Sequence, residues 1–283
     1  MANMTLTKTP MPEQEPQVRA HNFKEVALGY TAEMAMEEAG RCLNCKKPKC
    51  VEGCPVNVRI PEFIAKVHEG DFKAAYEIIT STNALPALSG RVCPQEKQCQ
   101  KFCTMGKLLK SVDKAVAIGR VERFCADLAR ETNTEEPLIC APKTGKRVAV
   151  IGSGPASITC AADCAKAGHD VTLFEAFHKC GGVLVYGIPE FRLPKDTLRR
   201  ELEHFKKMGV TWECGRELGK NLSLDELKKS YDAVIIAVGS WQASAMRIEG
   251  DELAEMGIDW LGAIADKNWK DCKNPGKTLV VGG

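Results

Sequence analysis

The sequence predicts two structural units of different class: an all-α unit followed by an α/β unit built on a parallel sheet. Three observations carry that expectation. Apolar residues recur at helical spacing in the front half, in stretches between Thr31 and Glu131. From Arg147 onward, short β-branched runs alternate with helical stretches, the order that implies crossover helices between parallel strands. Seven of the fourteen cysteines crowd between Cys42 and Cys103, within the helical part, while the rest are scattered from Cys125 to Cys272.

Residues 1–20 are polar and proline-rich without periodicity, and read as a mobile arm. Thr31–Gly40 reads as a helix capped by threonine and stopped by glycine. Pro61–Gly70 (Phe63, Ile64, Val67) and Phe72–Ser81 (Phe72, Ala75, Ile78, Ile79) have helical apolar spacing, and Ser111–Glu131 is a third long helix. The cysteines are expected in irregular segments between them. Composition changes after Asn133–Pro137, so the boundary is placed near residues 132–145, with a helical unit over 21–140 and an α/β unit over 145–275. Arg147–Ile151 is the first strand, and an alanine-rich helix follows to Gly168. Asp170–Phe174 is the second strand, Val210–Glu213 the third, and Asp232–Val238 a buried strand ending at Gly239. Arg147–Gly152 is echoed by Lys277–Gly282, so residues 276–283 read as the first strand of a further unit. That copy has no helix behind it to receive a phosphate and is not expected to bind a dinucleotide.

With 44% hydrophobic and 27% charged residues and a mean hydropathy of -0.21, the chain has the composition of a globular protein with a sizeable core. The formal net charge is +2 and neither half is polarised, which argues against a nucleic-acid footprint. The longest near-candidate for a membrane span, Ala233–Val238, falls far short of the length required. The amino terminus lacks an apolar export segment, so a cytoplasmic location is expected.

In that compartment, closely spaced thiols are metal ligands more often than disulfides. The first cluster, Cys42, Cys45, Cys50, Cys54 and then Pro55, reads C-x2-C-x4-C-x3-C-P; the second is Cys93, Cys99 and Cys103. The C-x3-C-P ending favours iron–sulfur ligation, in which the last cysteine serves the other cluster. Structural zinc and plain buried thiols are the alternatives. Seven thiolates are one short of the eight that two four-iron clusters take. The remaining cysteines (Cys125, Cys140, Cys160, Cys164, Cys180, Cys214 and Cys272) read as small buried hydrophobes. Cys160 and Cys164 lie one helical turn apart but in no C-x-x-C.

Gly152-Ser153-Gly154-Pro155-Ala156-Ser157 follows a strand and opens a helix, the setting in which G-x-G-x-x-G binds a pyrophosphate. Gly152 allows the turn and Gly154 the close approach of backbone amides, while Ser157 replaces the third glycine. Glu175 ends the second strand, where an acid accepts ribose hydroxyls and repels a 2′-phosphate, so the site should take FAD or NAD rather than NADP. The five histidines, His21, His68, His169, His178 and His204, show no paired nucleophile, and no catalytic residue is assigned.

The runs Gly40-Arg-Cys-Leu-Asn-Cys45, Ser89-Gly-Arg-Val-Cys-Pro94, Ile118-Gly-Arg-Val-Glu-Arg-Phe124 and Cys180-Gly-Gly-Val-Leu-Val-Tyr-Gly-Ile-Pro-Glu-Phe-Arg-Leu-Pro-Lys195 resemble the glutamate synthase small (beta) subunit family. That family includes the large subunit of NADH-dependent ferredoxin:NADP oxidoreductase and the N-terminal half of dihydropyrimidine dehydrogenase. The resemblance implies an α-helical ferredoxin domain with two 4Fe-4S clusters, followed by a Rossmann-like FAD-binding domain that is incomplete at the C-terminus of this chain. It assigns Cys42, Cys45, Cys50 and Cys103 to one cluster, and Cys54, Cys93, Cys99 and Glu122 to the other. It places Gly152, Ser153, Gly154, Pro155, Ala156 and Glu175 at the dinucleotide, Gly182, Val183 and Arg192 against FAD, and Leu218 near the adenosine end.

The implied function is an oxidoreductase subunit passing electrons from NAD(P)H through FAD and the clusters to a partner, foremost a large catalytic glutamate synthase subunit. A ferredoxin:NADP oxidoreductase, sulfide dehydrogenase or dihydropyrimidine dehydrogenase-like flavin subunit is one alternative, and a non-catalytic iron–sulfur adaptor another. By this resemblance residues 276–283 begin an NAD(P)-binding domain whose NADPH site the chain lacks. On its own it is then expected to load clusters, bind FAD weakly and show no NADPH-to-dye reduction.

Overall fold

The computed structural model describes residues 5–134, 140–244, 247–266 and 276–281. From Pro16 to Glu131 every regular element described is helical: α1 Pro16–Arg19, α2 Ala32–Ala39, α3 Lys49–Glu52, α4 Ile60–Glu69, α5 Phe72–Thr80, α6 Pro86–Val92, α7 Thr104–Leu108 and α8 Ile118–Glu131. The α2 cap is as expected, with Thr31 Oγ1 accepting from the Met34 N–H and Gly40 at the other end. Phe63, Ile64, Val67, Ile79 and Val121 form the centre of this unit's core. Phe72 meets Phe124 edge-on at 5.0 Å, locking α5 to α8.

The α/β unit follows: β1 Arg147–Ile151, α9 Pro155–Lys166, β2 Asp170–Glu175, α10 Val183–Tyr186, α11 Lys195–Lys207, β3 Thr211–Cys214, α12 Leu224–Ser230, β4 Ala233–Ile236 and α13 Gly257–Asp266. The strands form one parallel sheet in the order β3-β2-β1-β4. β1 is buried from Val148 to Ile151 because it lies inside the sheet with helices on it.

Several expectations need correction. The segment after residue 4 is not a free arm: the buried Thr9 donates its N–H to Glu38 Oε2 at 2.7 Å and accepts from Tyr30 Oη at 2.5 Å. The Ser111–Glu131 helix breaks into a 3-10 turn at Val112–Lys114, an extended Ala115–Ala117 and α8. There Arg41 Nη2 donates to Lys114 O and Glu38 Oε1 accepts from the Ala117 N–H, so a buried ion pair claims the backbone groups a continuous helix would use internally. The cysteines are not all in irregular segments, since Cys50 sits on α3, Cys99 opens a 3-10 turn and Cys103 caps α7. Finally, β4 is a half-exposed edge strand rather than a buried one, with Ile236 56% exposed. Residues 277–281 form no strand and are exposed, for no described strand takes their backbone groups. Gly282, Gly283, Cys272 and the rest of 267–275 lie outside the described residues.

The units meet through α6. Its Leu88, with Ala84 and Leu85 before it, belongs to the same apolar cluster as Val150, Leu184, Tyr186, Leu198 and Phe205 of the α/β unit. Phe191 O accepts from the Val26 N–H, and Arg130 O from Arg200 Nη2, at 3.0 Å each.

Candidate ligand sets and dinucleotide cradle

The eight ligand candidates come together in two groups that cross the sequence order. Cys42, Cys45, Cys50 and Cys103 line one cavity, closed by Ile60, Ile64 and Ile118. Burial pushes the Cys50 thiol up to about 12, helped by the neighbouring Cys103 and Cys42. Cys42 rises for the same reasons, with burial first and then Cys103 and Cys45. In the second group burial pushes Cys99 up to about 12 and Cys93 to about 11, and in both cases Glu122 and then Cys54 add to the rise. Glu122 is itself pushed up to about 7 by burial. Each group therefore crowds acidic donors in a poorly solvated place, a composition that suits a positively charged metal core. Among the described residues no three His, Cys, Asp or Glu side chains converge on a point fit for one ion. A cluster that takes one ligand per iron tolerates that wider spacing.

Glu122 reaches its group because α6 and α8 approach closely. A Cβ on Gly90 would stand 2.8 Å from Arg123 Cα, so only glycine admits this contact. It brings Ser89 and Asn83 to Glu122 Oε1, to which both donate. Sequence reasoning found Glu122 through resemblance but missed Asn83, which no spacing connects to it.

At the carboxyl end of the sheet, Gly152 turns with φ +104°, and a Cβ there would lie 2.4 Å from Ala237 O. Gly154 caps α9 and faces open space, with Pro155 and Ala156 exposed in the first turn, which leaves room for an anion at the helix N-terminus. Ser157 is buried and donates to Ala237 O at 3.0 Å, so it holds α9 against the end of β4 where the usual glycine allows plain contact. Glu175 ends β2, buried, accepting from the Ser153 hydroxyl and from the Phe177 N–H. Ser153 Oγ in turn accepts from the Gly181 N–H at 2.8 Å. Gly182 packs on the glycine loop, for a Cβ on it would be 2.9 Å from Gly154 Cα. Thus Gly152–Ala156, Glu175 and Gly182 come together in one cradle, open at Gly154, where a built Cβ would meet nothing within 4 Å. Val183 borders it, 40% exposed. Leu218 lies half-buried in the cluster containing Phe174, Ile151 and Leu222. Arg192 is exposed, its N–H bonded to Pro189 O.

Lys195 is a further residue the sequence reading left without a role. Its Nζ donates to the carbonyls of Leu184, Ile188 and Leu193, tying together the loop that borders the cradle. An open groove runs along α9 from Pro155 and Ala156 past Thr159, Cys160, Asp163 and Cys164. Of the cysteines read as core residues, Cys125 and Cys180 are buried, Cys140, Cys160 and Cys164 are half-buried, and Cys214 is exposed, which corrects that expectation for Cys214. No helix among the described residues is long and apolar enough to cross a membrane.

Residues 19–134 match the family described as dihydropyrimidine dehydrogenase domain II, 4Fe-4S cluster. Residues 146–283 match the family described as pyridine nucleotide-disulphide oxidoreductase. An NAD-dependent dihydropyrimidine dehydrogenase subunit, PreT, of Escherichia coli is 37% identical over 261 residues, covering 92% of this chain and 61% of that protein. The glutamate synthase (NADPH) small chain of Escherichia coli is 35% identical over 247 residues, 87% of this chain and 52% of the relative. That of Bacillus subtilis is 34% identical over 289 residues, 96% of this chain and 57% of the relative. The chain thus spans between about half and three fifths of the length of these relatives.

Proposed function

The chain belongs to the family of glutamate synthase small chains and related dihydropyrimidine dehydrogenase subunits, and from that premise we propose that it is the iron–sulfur and flavin-binding part of an oxidoreductase subunit carrying electrons from NAD(P)H to a partner. Cys42, Cys45, Cys50 and Cys103 would hold one 4Fe-4S cluster, and Cys54, Cys93, Cys99 and Glu122 the other. The cradle of Gly152–Ala156, Glu175 and Gly182 would hold FAD, with Val183, Arg192 and Leu218 around it. Bound FAD exchanges electron pairs with a nicotinamide and single electrons with clusters, so the cofactors carry the chemistry. This chain's residues bind and orient them. Gly154 and the first turn of α9 receive the pyrophosphate, Glu175 accepts from ribose hydroxyls on lone pairs its internal bonds leave over, and Lys195 fixes the loop that ends at the cradle.

One observation carries this reading: α6 packs between the second ligand set and the loop beside the cradle. Ser89 on α6 bonds Glu122 and Cys93 follows its last turn, while Leu88 shares an apolar cluster with Leu184 and Tyr186 of the cradle loop. A single rigid helix between the second ligand set and the flavin cradle suits electron passage between them. The acceptor is proposed to be a separate large subunit, as the names of the relatives suggest. Anaerobic purification with iron, sulfide and flavin quantification tests the assignment. About eight irons per chain are expected from two four-iron clusters. One zinc and no sulfide would overturn it.

A further inference from the structure

Cys180 and Cys214 come from opposite sides of the cradle and meet at its edge. Their sulfurs are 3.6 Å apart. Cys214 is the last residue of β3 and stands opposite Glu175 in the sheet register, while Cys180 immediately precedes Gly181 and Gly182. Cys214 is exposed and Cys180 buried, so one sulfur is open to a soluble reagent and the other is shielded behind it. The neighbouring acids and hydroxyls are Glu175, Ser153 and Tyr186, and burial, Cys214 and Glu175 together hold the Cys180 thiol in its protonated form.

We propose that Cys180 and Cys214 are a reversible disulfide switch, closed by a low-molecular-weight disulfide, and that its closure loosens the dinucleotide cradle. The Cys214 thiolate attacks one sulfur of the reagent, the reagent's S–S bond breaks, and one thiol leaves. Cys180 then gives up its proton and attacks Cys214 Sγ, the mixed disulfide breaks, and the second thiol leaves with that proton. The two cysteines lose two electrons and two protons, and the reagent gains both. A disulfide needs its sulfurs about 2.05 Å apart, so one or both segments must move. The Cys180 side carries the Gly181 N–H bonded to Ser153 Oγ and the Gly182 backbone packed on Gly154. The Cys214 side carries the Arg216 N–H bonded to Glu175 O. Drawing these segments together shifts the loop that touches the glycine turn.

The effect on the cradle rests on the FAD reading above, whereas formation of the disulfide does not. The test uses the full chain, purified anaerobically with its clusters and flavin, exposed to oxidised glutathione, alkylated and mapped by mass spectrometry. A linked peptide containing Cys180 and Cys214 is expected, together with loss of bound flavin that dithiothreitol and added FAD restore. Cys214→Ser should form no link and keep its flavin under the same oxidant, which separates the switch from cluster damage. The proposal is overturned if both cysteines remain alkylated, if glutathione stays attached to Cys214, or if the link forms and flavin is retained. A reduced chain that takes up no flavin even from excess added FAD but forms the link overturns the cradle assignment instead, with the disulfide established.

Discussion

Ser89 Oγ donates to Glu122 Oε1 at 2.5 Å, and Asn83 Nδ2 donates to the same oxygen at 3.0 Å. A carboxylate taken this far from water is costly unless a partner compensates it, and the two donors hold it where its charge acts on Cys93 and Cys99. Replacing Glu122 by Ala removes a ligand and leaves both donors facing an apolar side chain. The iron content of the purified chain is expected to fall from about eight to about four per chain, the loss of one cluster. Ser89→Ala leaves the ligand in place but unoriented, and should retain iron while shifting the reduction potential of one cluster. Full iron content in Glu122→Ala would sink the assignment.

The buried pair Arg41 and Glu38 anchors the start of the chain and the entry to α8 at once. Arg41 Nη1 meets Glu38 Oε1 at 2.6 Å with side chains 1% and 0% exposed, and Arg41 Nε donates to Thr5 O. Truncating one member of such a pair strands the other charge, at a cost on the order of 3–5 kcal/mol. Arg41→Ala should lower the urea midpoint of the helical unit accordingly and open residues 5–20 to protease. An unchanged midpoint would mean that the pair contributes nothing to the docking.

The same pair shows where sequence reading stops. Thr31 and Gly40 are local signals and mark α2 correctly, and β-branched runs locate β1 and β2 to within a residue. The break before α8 and the docking of Thr9 depend on Glu38 and Arg41, whose partners lie far along the chain and leave no periodic trace. The cysteine spacing indicates metal binding, and its C-x3-C-P ending already sends Cys54 to a different group from Cys50, whereas Asn83 and Ser89 beside Glu122 leave no such local sign. Cys214 was misread because composition says nothing about which strand ends at a surface.

Gly152 and Gly154 separate fold from ligand. A methyl group on Gly152 meets Ala237 O at a backbone angle side chains avoid, so Gly152→Ala should destabilise the α/β unit. Gly154 has ordinary extended angles and nothing within 4 Å of a built Cβ. Gly154→Ala should therefore unfold like the parent, within about 0.5 kcal/mol. Its methyl group points where a pyrophosphate would lie, and flavin retention should be lost. Flavin held at the parental level by Gly154→Ala would remove the cradle from consideration.

Lys195 supplies a pH dependence of definite sign. Burial pushes its ammonium down to about 8 from the usual 10.5, while Glu190 opposes the shift. The unfolded chain therefore binds more protons than the folded one between about 8 and 10.5, and stability rises with pH in that window. Below about 8 both states hold the proton, and this group adds no slope. Its three carbonyl contacts bind the loop from Leu184 to Leu193. Lys195→Met loses those bonds and should be less stable at every pH, and it should also lose the upward slope. Urea midpoints of the parent and the variant from pH 7 to 10.5, followed through Trp212 and Trp241, give the difference directly. A parent-minus-variant difference that stays flat across the window would refute the role given to Lys195.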